Sequence, residues 1–543
     1  MKGHLLAFYR RESGSPLPPM AVAVALSGTG QGMLMALANL GAQSSESTTQ
    51  RTVLLVCYVL AMVLYLGGLR RALRAGFTAS EHALERVRVR LSTRLLQADL
   101  AYVERHAGTG RFTPLQQDTR LIADALTQAL FGLQSLALFA VSSVYMAWKN
   151  PTTFGLVALV FLVVLPKLMR NYHRTTEETR LSAEREGAFF GLFGDLVQGF
   201  KEVKLNRARS EAIQAGLARR ALQAHAPRHQ VNQRTVDDLQ FSNGIFYVLL
   251  AVLVFVLPEF SSTHHDKVEQ TLSTVLFLMG PLTMFATTLP MLARAEAAVA
   301  GLYALEAEID AAAHGRGTED DLTRNPAPPQ DFHTLGLHGV GFHYTDAEGD
   351  ITFRSGPHTL EIRRGERIFI VGGNGSGKST LLKLLTGLYA PLEGELRLDG
   401  RTVDASLRST YRELFSIVFT DFHLFDRLYG MEGVDPADVQ HWLSVMGLAH
   451  KTRFEDGRFT QTALSTGQRK RLAFIVAVLR DKPVCILDEV AADQDPEFRR
   501  RFYRELLPGL SARGTTVIVV SHDDAYFDCA DRLIRLQDGR IVA

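Results

Sequence analysis

The chain has 543 residues, with 59 Lys and Arg against 57 Asp and Glu, for a net charge of +2. That length exceeds one ordinary domain and predicts two or three. The near-neutral balance excludes a globally basic nucleic-acid binder. Three cysteines, Cys57, Cys485 and Cys529, are too few and too scattered for a disulfide framework.

In chain order, the first 300 residues alternate apolar runs with basic connectors. The runs lie near residues 19–41, 52–69, 126–147, 152–169, 241–258 and 271–292. A bilayer core about 30 Å thick needs about 20 apolar residues in a helix, so six membrane spans are predicted. A buried core helix explains any one run by itself; six within this stretch predict a membrane domain. Basic Lys2, Arg10 and Arg11 before the apolar Ala21–Leu26 resemble a signal peptide. Cleavage there would export the C-terminal half, so the segment reads as an uncleaved first span.

Lys and Arg fall unevenly between the runs. Arg70, Arg71, Arg74, Arg86, Arg88, Arg90 and Arg94 follow the second, and Lys201, Lys204, Arg207, Arg209, Arg219 and Arg220 follow the fourth. The other connectors are short or poor in basic residues. Both termini and the two basic connectors are therefore expected in the cytoplasm. Glu81–Leu100 and Ser182–Leu217 read as helices continuing beyond the bilayer, the second even though it carries Gly187, Gly191, Gly194 and Gly199. Asp124, Gln128, Gln134 and Asn243 either line a cavity or bond between helices. His264-His265-Asp266 has two adjacent imidazoles but no further ligand nearby, a poor metal site. Cys57 and Cys485, both in apolar runs, are expected to be packed. The boundaries are placed at 1–310 for the membrane domain, 311–330 for a linker rich in Pro, Gly and Asp, and 331–543 for a soluble α/β domain.

That last part carries four segments suited to a nucleoside triphosphate. Arg367–Val371 is an apolar strand leading into Gly372-Gly373-Asn374-Gly375-Ser376-Gly377-Lys378-Ser379, and Ser379–Leu388 follows as a helix. This is a phosphate loop: glycines let backbone N–H groups converge on phosphate oxygens at a helix N-terminus. Gly372, Asn374, Gly375, Ser376, Gly377 and Thr380 are candidate phosphate contacts. Lys378 is assigned to the β- and γ-phosphates and Ser379 to Mg²⁺. Leu464-Ser465-Thr466-Gly467-Gln468 opens a basic helix and by itself reads as an N-cap. Val484–Leu487 is a buried strand ending in Asp488, a second Mg²⁺ contact, and Glu489, a general base for water. Strand Thr516–Val520 leads into His522, a γ-phosphate sensor.

Together these residues resemble the ATP-binding cassette (ABC) ATPases, and six spans before one cassette resemble an exporter-type ABC half-transporter. The resemblance covers nearly the whole chain and implies a six-span α-helical membrane domain fused to an α/β P-loop ATPase domain, binding ATP and Mg²⁺ as a homodimer in lipid. It further implies that Ser465, Gly467 and Gln468 complete the partner subunit's site, that Asp495 sits in the subunit-crossing loop, and that Tyr344 stacks on adenine. Thr466 stands where the family has a second glycine. Thr420, in Val418–Asp426, stands where the family has a Gln that ligates the metal.

Thr420–Asp426, Leu464–Ala473, Ala491–Arg500 and Ser521–Asp524 resemble one subgroup, the bacterial exporters of cyclic peptides and siderophore precursors of the pyoverdine and syringomycin type. Gly199–Asn206 resembles it too. The expected function is ATP-driven export of such a compound across the bacterial inner membrane, with no nucleic-acid partner. Two other readings stay open: import on the same scaffold, and a membrane ATPase that regulates a partner protein.

Overall fold

A computed structural model describes residues 4–12, 17–43, 48–106, 114–256, 268–313, 332–346, 348–404 and 406–542. His264-His265-Asp266 and nearly all of the 311–330 linker lie outside the described residues. The chain divides into two units, Met1–Ala98 with Tyr102–Ala313 and Asp99–Ala101 with His314–Ala543.

The first unit is helical: α1 (His4–Glu12), α2 (Leu17–Gln43), α3 (Thr48–Gln97), α4 (Leu100–His106), α5 (Pro114–Lys149), α6 (Pro151–Gln198), α7 (Phe200–Leu205), α8 (Arg207–Ala251, running into a π-turn at Val252–Val256) and α9 (Val268–Ala313). Among the described residues, α2, α3, α5, α6 and α8 are long and apolar enough to cross a membrane. The sixth apolar run, 271–292, falls within α9, where several side chains are not described. Residues Leu55 and Leu60 of α3 are 63% exposed. Such a face is stable only against lipid.

At 50 residues, α3 is about 75 Å long, more than twice the bilayer core, so it extends well past the membrane. Helix α6, at 48 residues, is likewise longer than a bilayer crossing needs. Gly187, Gly191 and Gly194 face open space, so each costs the helix only about 1 kcal/mol of propensity and none of them stops it. The break comes at Gly199, and Asn206 then caps α8 by accepting from the Arg209 N–H at 3.0 Å.

Helices α2, α3 and α5 meet through glycines. A Cβ on Gly30 would lie 2.7 Å from the Tyr65 backbone nitrogen, and one on Gly68 would lie 2.8 Å from that of Ser27. A Cβ on Gly28 would lie 2.8 Å from the Gln134 carbonyl oxygen of α5. Close backbone approach of this kind replaces the hydrophobic drive that lipid removes. The amide of Gln134 donates to Gln31 at 3.2 Å, so this polar pair joins two helices. Cys57 is exposed on α3, which corrects the expectation that it is packed; Cys485 is buried, and burial pushes its thiol up to about 11.

Helix α1 is tied to α3 and α9 by charge. The Glu296 carboxylate accepts from the His4 and Leu5 amides at 2.8 and 2.9 Å, satisfying orphan donors at the helix start. Arg90 bridges buried Glu12 at 2.6 Å and Glu306 at 2.9 Å.

The second unit contains strands β1 (Thr334–Thr345), β2 (Ile351–Arg363), β3 (Arg367–Gly372), β4 (Glu393–Leu398), β5 (Arg401–Thr402), β6 (Phe415–Val418), β7 (Phe454–Glu455), β8 (Arg458–Phe459), β9 (Val484–Asp488), β10 (Thr516–Val520), β11 (Arg532–Gln537) and β12 (Arg540–Val542). Between them run α10 (Lys378–Leu385), α11 (Arg408–Arg412), α12 (Pro436–Val445), α13 (Thr466–Leu479), α14 (Pro496–Arg501) and α15 (Leu507–Ala512). A six-stranded sheet has the order β12-β11-β3-β10-β9-β6, parallel except for β12, and an antiparallel sheet has the order β2-β1-β4-β5.

In β10, Val517 and Val519 enter one core while Ile518 and Val520 enter the other. Both faces of the parallel sheet are therefore covered, which is why β3, β9 and β10 read as unbroken apolar runs.

Candidate functional site

Strand β10 lies between β3 and β9, with Val520 opposite both Ile370 and Asp488. The segments following these three strands, 372–378, Asp488-Glu489 and Ser521–Asp523, thus emerge side by side at the carboxyl end of the sheet, where ligands of open α/β folds sit. Strand β6 flanks β9, with Val418 opposite Leu487, and brings Thr420 alongside Asp488.

The loop after β3 needs its glycines. Gly375 and Gly377 have φ of +76° and +97°, a left-handed conformation costly for other residues. A Cβ on Gly372 would lie 2.4 Å from the Leu536 carbonyl oxygen. Lys378, the first residue of α10, is buried and donates to the carbonyls of Gly372 and Gly373 at 2.9 and 3.0 Å. Ser376 Oγ is buried without a hydrogen-bond partner among the described residues. An orphaned hydroxyl at a helix N-terminus suits a phosphate oxygen. Asn374 is exposed at the loop tip and Thr380 is buried in α10.

Ser379 Oγ donates to Asp488 Oδ2 at 3.3 Å, and both the hydroxyl and the amide of Thr420 donate to the same carboxylate. The three oxygen side chains nominated for a metal thus converge. Burial pushes the Asp488 carboxyl above the usual carboxylate range; the Thr420 and Ser379 bonds oppose the rise and the Glu489 charge adds to it. A hard cation fits this set, since all its donors are oxygens and, among the described residues, the carboxylate forms no ion pair.

One test follows from that electrostatics. Because the folded-state pKa of Asp488 is raised, its ionised form destabilises the nucleotide-free fold as pH rises through that titration. We expect Asp488→Asn to raise the nucleotide-free melting temperature in EDTA by about 2–4 °C at pH 7.5. The gain should vanish below about pH 4, where the carboxyl is protonated in both states. A variant that melts lower than wild type at pH 7.5 would contradict it.

Glu489 has φ +52°, a left-handed conformation uncommon outside glycine and worth about 1–3 kcal/mol of stored strain. Its amide donates to the Val520 carbonyl at 3.2 Å, and its own carbonyl accepts from Lys470 Nζ at 2.9 Å. Its carboxylate Oε1 lies 3.2 Å from His522 Nε2. The two candidate catalytic side chains are therefore paired. The segment carrying His522 is held by Tyr503, whose hydroxyl contacts Ser521 Oγ at 2.6 Å and donates to Asp523 at 3.0 Å.

Ser465 caps α13 in a reciprocal box: its hydroxyl accepts from the Gln468 amide, and Gln468 Oε1 accepts from the Ser465 amide at 3.2 Å. The N-cap reading of this segment therefore holds within one chain. No hydrogen bond or ion pair among the described residues joins Ser465, Gly467 or Gln468 to the phosphate loop. Asp495 caps α14 by accepting from the Phe498 amide at 2.8 Å and pairs with Arg471 at 2.6 Å. Tyr344, near the end of β1, is half-buried among Phe342, Phe353 and Tyr389, with its hydroxyl 3.2 Å from Thr380 Oγ1.

Sequence reasoning missed the residues that join these parts. Lys470 ties α13 to Glu489 and pairs with Asp493 at 2.6 Å. Gln494 donates to the Gly467 carbonyl at 2.9 Å and accepts from Arg471 at 2.7 Å. A basic triad, Arg469-Lys470-Arg471, directly after a helix start was the available signal.

Residues 356–492 match the family model described as ABC transporter. The chain is 36% identical over 477 residues, covering 86% of it and 83% of the relative, to the ATP-binding protein SyrD of Pseudomonas syringae pv. syringae. It is 25% identical over 499 residues, covering 85% and 79%, to an ATP-dependent lipid A-core flippase of Ralstonia nicotianae. In fold it is similar to a bacterial Atm1-family ABC exporter with ATP bound, at TM-score 0.78 and 19% identity, over 96% of this chain and 93% of that one. The chain belongs to the ABC transporters, as an exporter-type half-transporter: a multi-pass membrane protein whose cytoplasmic ATPase domain couples ATP hydrolysis to transport.

Proposed function

We propose that the chain exports a peptide-type compound (a cyclic peptide, peptide siderophore or siderophore precursor) across a bacterial inner membrane, as a homodimer. The observation that carries this reading is the convergence of Lys378, Asp488, Glu489 and His522 at one sheet end, in a chain whose other half holds membrane-length apolar helices. The subgroup motifs and the 36% identity to SyrD support the peptide class.

In this reading ATP enters the phosphate loop, and Lys378 exchanges its two carbonyl partners for β- and γ-phosphate oxygens. Ser379, Asp488 and Thr420 would hold Mg²⁺, which when bound screens phosphate charge. Tyr344 offers its ring to adenine. Glu489 orients and deprotonates the attacking water while His522 holds the γ-phosphate side. Ser465, Gly467 and Gln468 of each copy close the other copy's site, in keeping with the lack, among the described residues, of any hydrogen bond from them to the phosphate loop of their own chain. Asp495, fixed on Arg471, carries that closure to the same loop. Closure is passed to the spans through the connectors that contain α4 and α7.

The deciding experiment is ATP-driven uptake into inside-out vesicles, with purified protein in nanodiscs assayed in parallel for hydrolysis against cyclic peptides and siderophore precursors. Accumulation of one of these with matching stimulation of hydrolysis is expected. Movement into right-side-out vesicles would mean import, and hydrolysis indifferent to every compound, with a protein co-purifying, would mean regulation of a partner.

A further inference from the structure

A cavity of about 820 Å³ opens between α5, α8 and α9. Its walls carry Arg120 and Asp124, one helical turn apart on α5, Asn232 on α8, and Thr287, Met291 and Arg294 along one face of α9. Each of these stretches lies near the end of its helix's apolar run that the basic connectors place toward the cytoplasm. Arg120 and Asp124 precede the apolar run 126–147, Asn232 precedes 241–258, and Arg294 follows 271–292. The cavity therefore sits where a solute leaving the cytoplasm first meets the membrane half.

The charge in this cavity is organised. The Arg294 guanidinium donates one N–H to Asn232 Oδ1 at 3.0 Å, which fixes the planar fork and leaves its other donors for a ligand. Arg228, one turn before Asn232 on α8, adds positive field at Arg294 and is itself 3.4 Å from Glu186. Glu296, close to Arg294 in sequence, is occupied by the His4 and Leu5 amides. Among the described residues neither Arg120 nor Asp124 takes part in an ion pair. Two guanidinium groups and one carboxylate thus line a single space of ligand size, with Met291 on the wall as adaptable apolar surface.

Resting on the export reading above, we propose that this cavity is the entry site for cargo and that it selects a compound with a single free carboxylate. Arg294 and Arg120 grip the carboxylate, the adjoining apolar part of the cargo lies on Met291, and Asp124 repels a second acidic group. A lipid phosphate presents related chemistry, and the test separates the two sources.

The probe is an N-acylated hexapeptide with uncharged side chains, a free C-terminal carboxylate and an uncharged fluorescent label, compared with its C-terminal amide. Binding is measured by anisotropy in phosphatidylcholine nanodiscs without nucleotide. Wild type should bind the acid at least about tenfold more tightly than the amide, one bidentate charge-assisted contact. Arg294→Gln and Arg120→Gln should each bring the acid down to the amide's affinity. Arg294→Lys should recover part of the preference, which a misfolded variant would not do. Equal binding of acid and amide by wild type, or a preference that survives Arg294→Gln, overturns the proposal. So does displacement of the acid peptide when a quarter of the lipid is phosphatidylglycerol, because lipid phosphate is then the occupant. Acid-selective binding without ATP-driven movement of the peptide into inside-out vesicles sinks the export reading and upholds the carboxylate site; transport of other compounds with equal binding of acid and amide does the reverse.

Discussion

Glu489→Gln is expected to bind ATP with near-normal affinity and to hydrolyse it about a thousandfold more slowly, the scale of a lost general base. The side chain keeps its length and can still bond His522, now 3.2 Å from the carboxylate, so geometry survives while proton acceptance does not. The backbone supports a dedicated role. A non-glycine residue at φ +52°, tied at its carbonyl to Lys470 and at its amide to Val520, is held against its own preference. Labelled ATP retained through gel filtration, together with lost phosphate release, is the expected signature. Steady-state hydrolysis equal to wild type would remove Glu489 from the base role.

Gly467→Ala should be the next most damaging change. Its added Cβ would stand 2.7 Å from the Asp493 carbonyl oxygen, backbone that cannot swing aside. The first turn of α13 must therefore lift off the loop that Gln494 fastens to it, where Gln494 donates to the Gly467 carbonyl at 2.9 Å. Overpacking of this kind costs about 1–3 kcal/mol, or about a 5- to 150-fold loss of turnover if the misfit falls on the transition state. Binding of a fluorescent ATP analogue to the phosphate loop should change little, because that loop belongs to other elements. Gly509→Ala is the matched control, since a Cβ at Gly509 in α15 meets nothing within 4 Å. Equal turnover of Gly467→Ala and Gly509→Ala would show that the contact does not matter to the cycle.

Much of this site was legible because its chemistry is local. A strand, glycine loop and helix start are contiguous, and Asp488 lies at the end of its own apolar strand. Neighbourhood was harder to read. That Glu489 meets His522, or that Ser379 and Thr420 meet Asp488, depends on the order β3-β10-β9-β6, which sequence position does not encode. Lys470 and Gln494 were invisible for the same reason: their partners lie 19 and 27 residues away, and Lys or Gln on a helix or turn ordinarily faces water. The membrane half misled at Cys57, which was expected to pack because lipid-facing and core-facing apolar runs share one composition.

The glycine contacts at Gly30 and Gly68 leave a mechanical legacy. Thr29 and Gln31 beside Gly30 and Leu69 beside Gly68 carry side chains, so neither α2 nor α3 can roll about its axis without prying the pair apart. The two must travel as one stave. Rearrangement of the membrane half then falls to helices such as α6 and α8, where Gly155 and Gly244 abut nothing. A spin-label separation across α2 and α3 that stays constant through the ATP cycle would be its mark.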